Sequence, residues 1–170
     1  MSVARTSERV FVAMGANIGD PVAQLDAARA ALNRLPDTRL LGCSSYYRSA
    51  PVGYADQPDF VNAVAMMETA LSPRLLLQHL LEIERTQGRI RAFPNAPRTL
   101  DLDIVLYGAH VINEEGLTIP HARMLDRAFV MLPLAELEPE VEIPGSGPAK
   151  VLAARLATGD IAVLRAAVPA

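Results

Sequence analysis

The stretch Leu100-Asp101-Leu102-Asp103-Ile104-Val105-Leu106-Tyr107 decides the fold. Its apolar residues first alternate with aspartate and then run unbroken into Gly108, which predicts a core strand. Upstream, residues 88–99 carry Arg, Pro, Asn and Gly without an apolar period and read as a loop. Before that loop, Ser72-Pro73 supplies an N-cap and a proline at the first helical position. Leu76, Leu80 and Ile83 then share one helix face, and the helix ends before Gly88. Residues 39–47 and 58–69 are rich in β-branched, aromatic and small apolar side chains and read as two strands, separated by a polar stretch with Pro51, Gly53 and Pro58. Asp20-Pro21 repeats the cap-plus-proline start, with Leu25, Ala28, Leu32 and Leu35 at helical spacing up to Pro36. Val10-Phe11-Val12-Ala13-Met14 ahead of Gly15 is the first strand. The order β-α-β-β-α-β predicts an α+β fold, a ferredoxin-like antiparallel sheet with two helices on one face. C-terminal additions follow: a hairpin strand near Val111-Ile112, a segment over residues 121–137, and a helical stretch over 151–156.

One domain is expected for 170 residues, with a core over about residues 9–139 and an extension over 140–170 that is apolar enough at 151–168 to pack back. Apolar residues make up 51% of the chain and charged ones 21%, which excludes disordered, collagen-like and disulfide-scaffold classes. The net charge of −3 gives no general attraction to nucleic acid or an anionic membrane. The longest apolar run, residues 60–67, is far short of the ~20 residues of a membrane span, so a soluble protein is expected. Cys43, the lone cysteine, reads as core and fits a reducing cytoplasm. Fifteen of the sixteen cationic side chains are arginine, Lys150 being the exception, a bias attributed mainly to genomic composition.

Asp101 and Asp103 sit at i and i+2 of a strand, so both carboxylates share one face about 6.5 Å apart. Two anions this close repel unless a cation lies between them. Magnesium is the economical candidate, since it uses one or two carboxylates and completes its shell from water and phosphate oxygens. The alternative is a surface strand with two solvated aspartates, although Asp is disfavoured in strands. A calcium EF-hand lacks its loop Gly and terminal Glu. Arg85, Arg89, Arg91 and Arg98 crowd the approach to the strand, and their planar forks suit phosphate oxygens; a solvated loop is the plainer account. Acids beside an arginine loop describe a polyphosphate site, to which His121 and Arg127 would add. Gly15-Ala16-Asn17-Ile18-Gly19-Asp20 matches no phosphate-loop or dinucleotide fingerprint and reads as a tight turn with a helix cap. His79 and His110 read as structural. No Gly-x-Ser-x-Gly elbow, His-Glu-x-x-His helix or kinase catalytic loop is present.

Four segments, in order, resemble 6-hydroxymethyl-7,8-dihydropterin pyrophosphokinase: Tyr46-Tyr47-Arg48-Ser49-Ala50-Pro51-Val52-Gly53, Asp56-Gln57-Pro58-Asp59-Phe60-Val61-Asn62, Pro97-Arg98-Thr99-Leu100-Asp101-Leu102-Asp103-Ile104 and Ile119-Pro120-His121. The resemblance runs from about residue 10 to 139. It implies a magnesium-dependent transferase of folate biosynthesis that moves the terminal pyrophosphate of ATP to the pterin hydroxymethyl group and releases AMP. It implies two magnesium ions on Asp101 and Asp103, and ATP phosphates lined by Arg89, Arg91, Arg98, His121 and Arg127. Arg89 and Arg98 join the two aspartates as the catalytic set. A pterin pocket would use Ser49, Ala50 and Val52, with Phe60 and Phe129 stacking on the ring and Asn62 bonding its edge. The family's loop ahead of Pro97 often carries Arg-Trp-Gly, where this chain has the shorter Phe93-Pro94-Asn95-Ala96. The expected partners are ATP and 6-hydroxymethyl-7,8-dihydropterin, with no nucleic acid or membrane, and the chain is expected to act as a cytoplasmic monomer.

Two other classes share these features. Nucleotidyl transferases also pair strand aspartates with two metals on such a sheet, but release pyrophosphate instead of AMP. A non-catalytic binding module would bind its ligand without magnesium and tolerate loss of both aspartates.

Overall fold

The computed structural model describes residues 6–50, 58–87, 100–156 and 161–167. The chain opens with β1 (Glu8–Ala16), longer at both ends than the apolar run alone indicates. It continues through α1 (Pro21–Leu32), β2 (Thr38–Cys43), β3 (Tyr46–Ser49), β4 (Phe60–Thr69), α2 (Pro73–Thr86) and β5 (Asp101–Tyr107). Both helices start as the cap pattern predicts: Asp20 Oδ1 accepts from Ala23 N–H at 3.1 Å, and Ser72 Oγ from Leu75 N–H at 3.2 Å. α1 stops at Leu32, a turn before the expected Leu35, and the chain then turns through Asp37 in the left-handed region (φ 51°).

The expected strand over residues 39–47 is two strands. Ser44 breaks it: its N–H donates to the Val64 carbonyl and its Oγ accepts from the Val64 N–H, both at 2.9 Å. Beyond that break the chain changes partners, so β2 pairs with the C-terminal half of β4 and β3 with its N-terminal half. The sheet order is β3-β4-β1-β5 with every pairing antiparallel, β2 lying beside β3 along the same flank of β4.

Alternation along β1 builds two cores. Val10, Val12, Met14 and Ala16 face α1 and α2, packing with Leu25, Leu32, Leu76 and Leu80, all buried. Phe11 faces the other way, into a second cluster with Val64, Val105 and Leu106. The additions after β5 serve both cores: Leu117 and Ile119 of a hairpin join the first, while the elements from Met124 onward cover the second face. These additions comprise the hairpin β6 (Ile112–Glu114) and β7 (Leu117–Ile119), a 3-10 turn (Met124–Asp126), α3 (Ala128–Leu137), the short pair β8 (Glu142–Ile143) and β9 (Gly147–Pro148), and α4 (Ala149–Ala154). α3 is braced to β3 through Glu136, which accepts from Ser45 N–H at 2.7 Å and from the Tyr47 hydroxyl. The tail then returns as β10 (Ile161–Arg165), an added edge strand on β3 where the sequence indicates only a segment able to pack back. Arg165 fastens it, with its guanidinium carbon 4.2 Å from the Tyr46 ring centroid and an ion pair to Asp26.

Candidate active site

Among the described residues, the elements that follow β5 cover the second face of the sheet at one end only. Towards α3 it presents Phe11, Val64 and Leu106, all buried. At the other end, register places Tyr47, Asn62, Gly15 and Asp101 in one row across four strands. Residues in register share a face, so the Asn62 amide and the Asp101 carboxylate stand two strand spacings apart, about 10 Å, with only a glycine between them. Asp103 follows on the same face, next to Ala13. Leu100, Leu102 and Ile104 are buried on the opposite face, as the alternation predicts, while Asp101 is half-buried and Asp103 exposed.

Ser49 and Phe60 are paired on the same face as Asn62. Asn62 is 5% exposed and its Nδ2 donates to Ser49 Oγ at 2.9 Å. Gly15 makes that placement possible. A Cβ on residue 15 would lie 2.9 Å from Asn62 Oδ1, closer than real contacts allow. No local sequence pattern marks this, because the constraint comes from a strand 47 residues further along the chain. The turn after Gly15 is structural as expected, with the Asn17 side chain donating to the Pro58 carbonyl at 3.2 Å and Asp20 capping α1.

A bulge brings His121 to the acids. Pairing of β1 with β5 slips between Phe11 and Val12, leaving Val105 as the extra residue, and the Val105 carbonyl accepts the His121 N–H at 3.1 Å. His121 Nδ1 accepts from the Arg123 N–H at 3.2 Å, which in the neutral ring puts the proton on Nε2. Burial, with Arg127 and Arg123 adding to it, holds the ring below its ordinary pKa against the pull of Asp103. Arg127 precedes α3, and its guanidinium carbon lies 5.5 Å from the Phe129 ring centroid in the first turn of that helix. A cleft of about 240 Å3 adjoins these groups, lined by Leu77, Asp103, Ile104, Leu117, Thr118 and His121. Its apolar walls were not singled out from sequence, since they come from α2, β5 and the β6–β7 hairpin.

The structure therefore brings together Asp101, Asp103 and His121 at one end of the row, and Ser49, Phe60 and Asn62 at the other. Ala50 is exposed at the end of β3. Arg89, Arg91, Arg98 and Val52, with the loop segment Phe93-Pro94-Asn95-Ala96, lie outside the described residues. His110 has partners that the sequence does not reveal: Glu8 Oε1 at 3.1 Å and the Tyr107 ring, edge-on at 5.4 Å between centroids. Cys43 is buried as expected, and burial pushes its thiol up to about 11.

Among the described residues no three His, Cys, Asp or Glu side chains converge on one point. Two carboxylates on an open face suit a hard cation that takes its other ligands from water and phosphate, and do not suit a closed zinc site.

The fold and the sequence both have known counterparts. The chain is 50% identical over 136 residues to the 2-amino-4-hydroxy-6-hydroxymethyldihydropteridine pyrophosphokinase of Haemophilus influenzae, covering 80% of this chain and 85% of that protein. The protein of the same name from Pseudomonas aeruginosa is 49% identical over 137 residues, covering 81% and 85%. Among solved structures, wild-type Plasmodium falciparum HPPK-DHPS superposes with a TM-score of 0.72 over 91% of this chain and 44% of that longer one. At 12% identity that likeness concerns the fold alone. The model of the family described as 7,8-dihydro-6-hydroxymethylpterin-pyrophosphokinase matches residues 11–139, which hold the whole row of Tyr47, Asn62, Gly15 and Asp101, together with Ser49, Asp103, His121 and Phe129. By sequence and by the residues that the sheet aligns, this chain belongs to that family.

Proposed function

We propose that the chain transfers the terminal pyrophosphate of ATP to the hydroxymethyl oxygen of 6-hydroxymethyl-7,8-dihydropterin, giving the pterin diphosphate and AMP in folate biosynthesis. The observation that carries the reading is the row itself, with a buried amide at one end, two carboxylates at the other, and bare glycine backbone between them. A flat heterocycle held at the amide presents its substituent towards the acids. Phe60 and Phe129 stack on the ring, each aromatic pair adding about 0.5–1.5 kcal/mol beyond area burial. Asn62 bonds the ring edge, with Ser49, Ala50 and Val52 completing the wall.

Asp101 and Asp103 would hold two magnesium ions, which would supply charge neutralisation for the triphosphate and acidify the attacking hydroxyl. The chain's own groups position the nucleotide. Arg89, Arg91, Arg98 and Arg127 grip phosphate oxygens with bidentate forks, and neutral His121 donates through Nε2. The apolar cleft beside Asp103 takes the nucleoside. No side chain acts as a general base, since the acids serve as ligands. The strand order, second–third–first–fourth of the four expected strands, supports reading the frame as ferredoxin-like. The net charge of −3 offers no general attraction to nucleic acid or an anionic membrane, and no helix among the described residues is long and apolar enough to cross a membrane.

The test is an assay of the purified protein with ATP, magnesium and the pterin, following AMP by chromatography. One AMP per pterin diphosphate, and none after metal chelation, is expected. Release of pyrophosphate instead would assign nucleotidyl transfer, and pterin binding without turnover would assign a binding module.

Gly15→Ala tests the pocket separately. The Asn62 oxygen is the far end of a short side chain whose amide is held at Nδ2 by Ser49 Oγ, so the added methyl displaces that amide and not the strand. The pterin KM is expected to rise by roughly 10-fold, with a stability loss within about 1–3 kcal/mol. An unchanged pterin KM would remove Asn62 from the pocket.

A further inference from the structure

α2 lays an apolar stripe on the sheet through Leu76, Leu80 and Ile83, all buried. The next position on that stripe, one turn after Leu80, is Glu84, where the pattern calls for another apolar residue. It is 4% exposed, and among the described residues it is the one charged side chain so deeply buried. Burying a carboxylate is costly unless its oxygens are bonded. Glu84 Oε2 accepts the backbone N–H of Leu102 at 2.8 Å.

The position of that N–H gives the contact its meaning. Among the described residues β5 is the edge of the sheet beyond β1, so alternate N–H groups along its outer side meet no described strand. Leu102 is the residue between Asp101 and Asp103, and its outward N–H is the one that Glu84 takes. The carboxylate thus takes the place of a neighbouring strand at the point where the two acids leave the backbone. A bond from a charged acceptor to this amide fixes the height and twist of the peptides on either side, and with them the direction of both aspartate side chains.

We propose that Glu84 is a positioning residue for the metal-binding pair: it holds the edge strand through Leu102 N–H so that Asp101 and Asp103 are preset to share cations. The proposal rests on reading those aspartates as the metal site. It assigns Glu84 no contact with substrate and no part in proton transfer.

Two variants test it. Glu84→Leu keeps the volume and completes the apolar stripe, while Glu84→Gln keeps an acceptor oxygen without the charge. The direct readout is amide hydrogen exchange in the ligand-free protein. Exchange at Leu102 is expected to quicken by about 10-fold or more in Glu84→Leu and less in Glu84→Gln, with the β1 amides unchanged. The second readout is magnesium affinity by calorimetry in the presence of α,β-methylene-ATP, whose carbon bridge blocks the bond that breaks. It is expected to weaken by about 10-fold in Glu84→Leu, with partial recovery in Glu84→Gln and the pterin Kd unchanged. If Glu84→Leu does not fold, Glu84→Gln carries both readouts. A variant that only lowers Tm, leaving Leu102 exchange and magnesium affinity at wild-type values, overturns the proposal. An Asp103→Ala control that binds magnesium as tightly as wild type overturns the metal reading itself. A control that weakens while the Glu84 variants do not overturns the positioning role alone.

Discussion

Replacing Asp101 and Asp103 together by alanine is expected to lower AMP formation by at least about 10^3-fold, the scale on which removal of a transition-state charge stabiliser is felt. The protein should remain folded. Asp103 is exposed and Asp101 half-buried, whereas Leu100, Leu102 and Ile104, which anchor the strand, are buried on the other face. Neither carboxylate belongs to that buried anchor, so their loss should shift Tm little. Ligand-induced stabilisation separates the effects. Wild type should gain Tm with magnesium and α,β-methylene-ATP, because a ligand that binds only the folded state stabilises it, and the double variant should gain little. Asp103→Asn, which keeps shape and removes charge, should fall between, at about 10^2-fold. Turnover within ten-fold of wild type in the double variant would end the metal assignment and favour a module that binds without magnesium.

The acids were legible because a strand advertises its faces. Alternation in residues 100–104 is enough to say which side chains share a surface, and both helix starts were legible because a cap and a proline act within one turn. Ser44 was not. Its neighbours continue the same composition, and what breaks the strand is a pair of bonds to Val64, twenty residues away, which no local pattern encodes. Gly15 and Glu84 follow the same rule. One looks like a turn glycine and the other like a polar residue near a helix end, and each gains its meaning from an atom on another strand, Asn62 Oδ1 or Leu102 N. β10 was hidden because a five-residue strand of mixed composition becomes one only when β3 offers it an edge.

The same division explains why this sheet can carry a site at all. A sheet buried on both faces leaves no surface for a ligand, and one open on a whole face leaves too much apolar area in water. Here α1 and α2 close one face completely, and α3 with α4 closes part of the other. The remainder, beyond the reach of α3 and α4, is mostly polar or side-chain-free, with Ser49, Asn62, Gly15, Asp101 and Asp103 beside Phe60 and Ala13. The pocket is where the second layer stops, so its floor is as rigid as the core beneath it.

That floor makes Asn62 the sharpest test of the substrate end. Its Nδ2 spends one N–H on Ser49 Oγ, which leaves the other N–H and the carbonyl oxygen to meet a ring edge that offers both a donor and an acceptor. Asn62→Ala removes both ligand bonds and leaves the buried Ser49 hydroxyl without its partner. The pterin KM should rise by about 10^2-fold, the scale on which a site built for hydrogen bonding loses discrimination when they are removed. The ATP KM should stay within about two-fold, because the nucleotide groups gather around Asp103 and His121, two strands away. Asn62→Asp keeps the shape but turns the donor into an acceptor, so it should be nearly as damaging, whereas Ser49→Ala, which only frees the amide to swing, should cost a few-fold at most. Steady-state kinetics with each substrate varied in turn decides it. Equal rises in both KM values would mean that the amide holds the sheet together instead of reading the ring, and the pocket would have to be sought elsewhere on this face.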